Sequence, residues 1–219
     1  MKKPFDPNAD YQPTHFEFTE VYQKHARDII DQYPSGRQKS AVMPLLDLAQ
    51  RQVAQEGFNA SPPYGGWVPL AAMDYIAEML DMHKVKVYEV ASFYTMYNTA
   101  PVGKYLVQIC TTTPCYLRGS DEIVEACKDL LDIDFGETTK DGKFTMLEVG
   151  SLGACVNAPV VQINDDYYED LTPESIRQII ISLAEDIKPT VGSQKGRRCS
   201  MPASGPTSLL ELAKKRKVI

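Results

Sequence analysis

The chain has 219 residues, of which 43% are hydrophobic and 24% are charged, and its formal net charge is −6. These values are ordinary for a globular protein with a buried core and one domain or two small ones, and the acidic balance argues against broad nucleic-acid binding. No apolar run approaches the ~20 residues that span a bilayer, so we expect no direct membrane insertion.

The five cysteines are too few and odd in number for a disulfide scaffold. Metal-ligating thiols in a reducing compartment fit better. The N-terminal residues, MKKPFDP, match neither a secretory signal nor an Arg- and Ser-rich presequence. We therefore expect either a chain that stays where it is made or one that is already processed.

The first hundred residues are predicted to be helical after an irregular start. Residues 1–17 are polar and contain three prolines, which predicts an extended N-terminal arm. Residues 18–100 are predicted to form a small helical bundle, because apolar residues recur at helical spacing. Residues 55–66 contain glycines and prolines that predict a loop. The four predicted helices cover residues 19–33, 40–55, 70–82 and 87–96.

The next part of the chain alternates strands and helices. Residues 101–188 show the order β-α-β-β-α, which predicts a thioredoxin-like domain and an α+β fold class. The final helix begins at Thr172-Pro173, where threonine caps and proline occupies the first helical position. Residues 189–219 lack periodicity. We therefore predict an extended tail that either wraps around a neighbouring protein or stays without regular structure. The predicted strands are 104–110, 144–149 and 160–163, a helix covers 120–131, and a polar connector precedes the second strand.

Two loops that follow predicted strands carry cysteines. Cys110 and Cys115 enclose Thr-Thr-Thr-Pro, a spacing that matches the first step of plant-type [2Fe–2S] sites and would also suit zinc. The pair is not a Cys-x-x-Cys motif, which counts against a thiol–disulfide oxidoreductase. The second loop, Ser151-Leu-Gly-Ala-Cys155, places small residues beside a thiol, so that backbone N–H groups can face the sulfur. We predict that the loops pool three sulfurs around a metal cluster, and Ser151 occupies the remaining place.

The remaining candidates are predicted not to bind metal. Cys127 falls in register with the apolar residues of its helix and is predicted to be a core residue, whereas Cys199 in the tail is predicted to be a bystander. The histidines at 15, 25 and 83 lie in the N-terminal region and are not expected to be ligands. No general acid, base or nucleophile arrangement appears, so chemistry beyond one-electron transfer has no support.

Five motifs in the same order carry a resemblance to a known family. The sequence resembles the NuoE-type subunit of respiratory complex I, and the mitochondrial 24-kDa form (flavoprotein 2 of NADH:ubiquinone oxidoreductase) is the closer match. The resemblance covers roughly residues 16–208. The motifs are LDLAQRQ at 46–52, VYEVASFYTMY at 87–97, CTTTPC at 110–115, LGACVNAP at 152–159 and NDDYYEDL at 164–171.

The resemblance implies a fold and a place in a complex. The family has an N-terminal helical region and a thioredoxin-like domain that holds one [2Fe–2S] cluster. It implies packing against a flavoprotein subunit that binds FMN and NADH, with the large iron–sulfur subunit as a further partner. The implied location is the matrix-side peripheral arm of complex I at the mitochondrial inner membrane. This chain would be a subunit of the oxidoreductase without a complete active site, and the absence of G-x-G-x-x-G after a strand agrees.

One position departs from the family pattern. The family has a cysteine directly before Leu-Gly-Ala-Cys, where this chain has Ser151. A serine alkoxide can replace a thiolate on iron, but the hydroxyl is far less acidic and the harder oxygen favours oxidised iron. One hypothesis is therefore a labile cluster of lower potential on Cys110, Cys115, Ser151 and Cys155. The alternative is a structural complex I subunit whose cluster is lost.

Two other kinds of protein stay open at this point. An NAD-linked hydrogenase or formate dehydrogenase would use the same module. A free zinc-binding or nuclear protein is suggested by the basic run Lys214-Lys-Arg-Lys217, although such terminal runs are usually solvated tails.

Overall fold

The structure is a computed structural model that describes residues 5–202, 204–205 and 208–216. The chain forms two compact units. The first holds the chain through Leu106 together with Gly136–Thr145, and the second holds Val107–Phe135 and the chain from Met146 onward. The first unit therefore extends past the boundary predicted near residue 100 and includes the polar connector from Gly136 onward. Residues 1–4 of the predicted arm and residue 217 of the basic run lie outside the described residues.

Four helices build the first unit around one apolar core. A 3₁₀ turn, Gln38–Ala41, precedes the second of them. The largest fully buried side chains of this core include Leu45, Leu46, Met73 and Ile76, which come from the apolar faces that the periodicity predicts. The helices are α1 (Glu20–Ile30), α2 (Val42–Gly57), α3 (Leu70–Met79) and α4 (Lys84–Phe93).

One of these helices lacks the predicted side-chain cap, and another begins before the predicted residue. Thr19 precedes α1 as expected, but its side chain makes no cap; its backbone N–H instead donates to Oε1 of Gln52 at 3.0 Å. Helix α4 begins at Lys84 rather than residue 87, because Nδ1 of His83 accepts from the N–H of Val85 at 3.4 Å. A histidine cap is not among the usual N-cap signals.

The loop over residues 55–66 packs against the backbone of its own unit. The N–H of Gly65 donates to the carbonyl of Val102 at 2.8 Å. Gly142 has a φ of +75° and approaches the carbonyl of Pro63 so closely that a Cβ there would lie 2.5 Å from the oxygen. Only glycine permits this approach, so the loop is fixed by contacts far away in sequence.

The second unit carries most of a five-stranded sheet with the order β2-β1-β3-β4-β5. Strands β1 and β3 are antiparallel with Val107 opposite Ile163, and β4 pairs with β5 in parallel. A reciprocal capping box between Thr172 and Ser175 starts α7, at the predicted residue. The elements are β1 (Tyr105–Cys110), α5 (Thr113–Leu117), α6 (Ser120–Leu131), β2 (Phe144–Val149), β3 (Val161–Ile163), β4 (Asp166–Glu169), α7 (Pro173–Ala184), β5 (Gly192–Ser193) and α8 (Leu210–Lys215).

Within the predicted extended tail, residues 189–219, the structure departs from the prediction at residues 192–197. Gly192 pairs with Tyr168 as part of β5, and Arg197 forms an ion pair with Asp170 at 2.8 Å. This segment therefore packs on its own unit, because β-pairing and a buried charge pair stabilise it where composition predicts no core. Within the described ranges, no helix is long and apolar enough to cross a membrane.

Candidate metal centre

The first ligand loop starts where β1 ends. The N–H of Cys110 still donates to the carbonyl of Val160 at 3.3 Å, which continues the sheet pairing. Helix α5 then carries Cys115, and the two cysteines are 2% and 1% exposed. They form a small apolar cluster with Ala158 and Val160. Helix α5 is too short to show periodicity, so its only sequence signal was the proline in its first turn.

The two buried thiols differ in acidity. Burial raises the pKa of Cys110, but hydrogen bonds from Thr112, from Cys115 and from the N–H of Leu152 outweigh it and leave the pKa below its usual value. Sγ of Cys110 lies 3.2 Å from Oγ1 of Thr112. Burial, followed by the hydrogen bond with Cys110, raises the pKa of Cys115 to about 12. Cys115 therefore keeps its proton at neutral pH unless a cation replaces it.

The second ligand loop brings Ser151 and Cys155 together. Oγ of Ser151 lies 3.7 Å from Sγ of Cys155 and accepts from the N–H of Gly153 at 3.2 Å. Both Ser151 and Cys155 are exposed. The loop makes its turn at Gly153, where φ is +82°, a conformation that favours glycine.

Contacts of the second loop with the first join the two pairs. Leu152 and Ala154 pack against the apolar cluster that contains Cys110 and Cys115. The N–H of Leu152 donates to the sulfur of Cys110, and a charged Cys155 would further raise the pKa of Cys115. The structure therefore places the four predicted site residues in two adjacent pairs, one buried and one exposed.

The donor set at the two loops is compatible with a two-iron cluster. Over the part of the chain that the structure describes, no three His, Cys, Asp or Glu side chains converge as a mononuclear site requires. Structural zinc takes four ligands around one ion. A [2Fe–2S] cluster has two irons, so its four ligands divide into two pairs. The donors present, three sulfurs and one hydroxyl, have this division.

The other cysteines occupy different surroundings. Cys127 lies in α6 with no exposed surface, and burial raises its pKa to about 12, which agrees with the predicted core role. Cys199 is exposed, and its carbonyl accepts from Nδ2 of Asn157 at 2.9 Å. Its segment thus lies beside the second ligand loop, a position that no local pattern indicated.

Two residues that sequence reasoning passed over also contact this region. Asp170 and Arg197 form an ion pair whose side chains are 5% and 12% exposed. The only sequence signal was the position of Asp170 within the motif at 164–171. Arg197, in the tail, had no sequence signal of its own.

Comparison with known proteins identifies the family. The profile of the family described as "Thioredoxin-like [2Fe-2S] ferredoxin" matches residues 26–184. The chain belongs to this family. The resemblance found in the motifs is confirmed, as are the α+β class and the thioredoxin-like ferredoxin fold.

Relatives in this ferredoxin family are similar over most of the chain. One NADH-quinone oxidoreductase subunit, from Rickettsia bellii (strain RML369-C), is 54% identical over 173 residues, which is 79% of this chain and 97% of that protein. NADH dehydrogenase [ubiquinone] flavoprotein 2, mitochondrial, of Dictyostelium discoideum is 46% identical over 206 residues, 94% of this chain and 78% of that protein.

A solved structure shares the fold. The crystal structure of an NAD⁺-reducing [NiFe]-hydrogenase in the H₂-reduced state superimposes with a TM-score of 0.50 and 18% identity. The match covers 54% of this chain and 20% of the hydrogenase chain. At this identity, the similarity concerns the fold alone.

Proposed function

We propose that this chain is a peripheral-arm subunit of NADH:ubiquinone oxidoreductase (complex I). Its role is one-electron transfer or storage at a [2Fe–2S] cluster near the FMN of a partner flavoprotein. This proposal rests on the pairing of Cys110 with Cys115 and of Ser151 with Cys155, on two loops that contact each other. The names of the relatives from Rickettsia and Dictyostelium support the assignment to this oxidoreductase.

The residues of the site suit a negatively charged cluster. When bound, a [2Fe–2S] cluster accepts and returns one electron at a time. Cys110 and Cys115 would hold it from the buried side, where the apolar cluster excludes water. The N–H groups of Leu152 and Val160 donate to the two sulfurs and would offset the negative charge there. Ser151 and Cys155 would hold it from the exposed side.

The surroundings of the site support assembly with partners. Tyr116, Leu117 and Val156 adjoin the ligand cysteines in sequence and are 58%, 75% and 67% exposed. Large apolar side chains left exposed in this way favour burial against another protein. We propose the FMN- and NADH-binding flavoprotein and the large iron–sulfur subunit as these partners, on the matrix side of the mitochondrial inner membrane.

The exposed hydroxyl of Ser151 favours a second candidate, a structural subunit of the same complex without a cluster. Iron and acid-labile sulfide in the purified complex separate the two functions. Two irons and two sulfides per chain beyond those of the other subunits, with a matching EPR signal after reduction, are the expected result. Their absence would leave the structural role. Recovery of the chain without a flavoprotein partner would contradict both.

A further inference from the structure

A network of polar side chains connects the second ligand loop to the C-terminal segment. At its centre, Nε and Nη2 of Arg197 each donate to one carboxylate oxygen of Asp170 at 2.8 Å. Burial raises the pKa of Asp170, but hydrogen bonds from Arg197 and Ser193 outweigh it and hold the pKa below its usual value. The carboxylate is therefore charged at neutral pH. A bidentate and largely buried pair of this kind fixes both side chains in place.

The same guanidinium binds the backbone next to Cys155. Nη2 of Arg197 donates to the carbonyl of Val156 at 2.9 Å and also to Oδ1 of Asn157. Asn157 ends the 3₁₀ turn Cys155–Asn157. One side chain thus ties the residue that follows the exposed ligand to a carboxylate at the end of β4.

Beyond Cys155, the carbonyl of Asn157 accepts from the N–H of Asp170 at 2.7 Å, and Nδ2 of Asn157 donates to Glu169 and to the carbonyl of Cys199. The second loop is thus anchored after Cys155 as well as before it. Its first half is anchored, because the hydroxyl of Tyr167 donates to the carbonyl of Leu152 at 2.7 Å. Beyond that point Gly153 is exposed, and a Cβ built on it would meet nothing within 4 Å. The position of the thiol therefore depends on the anchors at Val156 and Asn157, and Arg197 contacts both residues.

The sheet places Arg197 in position for this contact. Ser193 lies in β5, which pairs with β4. Its hydroxyl donates to Oδ2 of Asp170 at 2.6 Å and accepts from the backbone N–H of Arg197 at 3.2 Å. The short strand and this turn hold the guanidinium against the end of the second ligand loop.

We propose that Arg197 is a positioning residue for Cys155, which fixes the thiol at the outer pair of cluster ligands through the carbonyl of Val156. The inference rests on the proposed function, since it concerns how a cluster ligand is held. Lysine cannot replace the planar fork, because its three donors sit on one nitrogen and cannot form the bidentate pair with the carboxylate while also reaching the carbonyl of Val156. The shape of the guanidinium is therefore required in addition to its charge.

The first test uses the full chain without iron. Hydrogen exchange is measured on the wild type, Arg197→Lys, Arg197→Gln and, as a control with the same charge change on an exposed neighbour, Arg198→Gln. The N–H groups of Asn157 and Ala158 close the turn at 2.9 and 3.3 Å. They are expected to exchange about 10- to 100-fold faster in both Arg197 variants, as the loss of one hydrogen bond to a charged group predicts, and unchanged in the control.

The second test uses the same proteins after iron–sulfur loading. Loss of a residue that orients a ligand typically weakens metal binding by about 10- to 100-fold. Both Arg197 variants are expected to release iron to a chelator at least about tenfold faster and to show a shifted EPR spectrum after reduction. Arg198→Gln is expected to match the wild type in both measurements.

Three outcomes overturn the inference. The first is hydrogen exchange in the Arg197 variants that equals that of the wild type. The second is faster hydrogen exchange in these variants together with an iron-release rate and an EPR spectrum that equal those of the wild type. Wild-type behaviour of Arg197→Lys is the third, because charge alone would then suffice. If the wild type takes up no iron, the proposed function fails, and the exchange measurement alone decides the role of Arg197. If Arg197→Gln does not fold, Ser193→Ala tests the same network and is expected to show a smaller effect in the same direction.

Discussion

Replacing Ser151 by cysteine tests the assignment of the four ligands most directly. The hydroxyl already lies 3.7 Å from Sγ of Cys155 and accepts from the N–H of Gly153, so a thiolate at this position would meet the same partners. Ser151→Cys is expected to strengthen cluster binding and to raise the cluster's reduction potential, because thiolate is the softer ligand.

The size of the effect follows from the acidity of the two groups. At pH 7, ionising a thiol of pKa ~8.5 costs about 2 kcal/mol, since one pKa unit corresponds to ~1.36 kcal/mol. Ionising a hydroxyl as weakly acidic as water costs about 12 kcal/mol at the same pH. The difference of about 10 kcal/mol is an upper limit, because a stronger iron–oxygen bond offsets part of it. A tenfold change in the rate of iron release requires only ~1.4 kcal/mol. A small fraction of this difference is therefore enough to produce it.

The assay is chelator-driven iron release, combined with EPR and a redox titration of the loaded protein. Ser92→Cys, which makes the same chemical change at an exposed residue of α4 in the other unit, is the control and is expected to match the wild type. Ser151→Cys is expected to release iron at least about tenfold more slowly and to have a different EPR spectrum. Equal release rates and identical spectra for Ser151→Cys and the wild type would refute the place of residue 151 in the ligand set.

Three further changes test other parts of the structure. Cys127→Ser places a hydroxyl at a fully buried position and is expected to lower the free energy of unfolding by about 1–3 kcal/mol; urea unfolding measures this, and a loss of iron would contradict the core role. Asp170→Asn leaves Arg197 without its partner and is expected to cost about 3–5 kcal/mol at pH 7. Because the pKa of Asp170 is depressed from 3.8, the wild type should lose this stabilisation as the pH falls below ~3.9. The unfolding curves of the wild type and Asp170→Asn should therefore converge in acid. A difference in the free energy of unfolding that does not change with pH would contradict the charge pair. Gly142→Ala and Gly36→Ala both place a side chain at positive φ, but only Gly142 has a carbonyl oxygen within 2.5 Å of the new Cβ. The free energy of unfolding of both variants should fall by about 1–2 kcal/mol because of the backbone conformation, and that of Gly142→Ala should fall further. Equal melting temperatures of the two variants would argue against the close approach of the loop over residues 55–66.

The sequence predicted the elements whose formation depends on local periodicity. Helix α6 and strand β2 have the predicted bounds, because their apolar residues repeat at the helix and strand periods. Helix α7 begins at the predicted cap, since the signal lies within four consecutive residues. The candidate ligands were also proposed from local signals, because both loops follow strand patterns and have short spacings.

The features that escaped prediction depend on contacts between distant residues. The tail has no periodicity, and its packing depends on the pairing of Arg197 with Asp170, 27 positions apart in the chain. The loop over residues 55–66 is fixed by the closeness of Gly142 to Pro63, which composition does not encode. Helix α5 is missed for another reason: a single turn between two cysteines has too few residues to repeat a pattern.

The order of the ligands along the chain has a consequence for biosynthesis. Cys110 and Cys115 leave the ribosome first, the outer pair follows, and Arg197 comes only after α7 and β5. A nascent polypeptide that ends after α7 already has every donor atom but lacks the anchor for the exposed thiol. Under the proposed function, insertion of iron and sulfide should therefore follow the synthesis of Arg197, and fragments that end before it should lose their metal on purification.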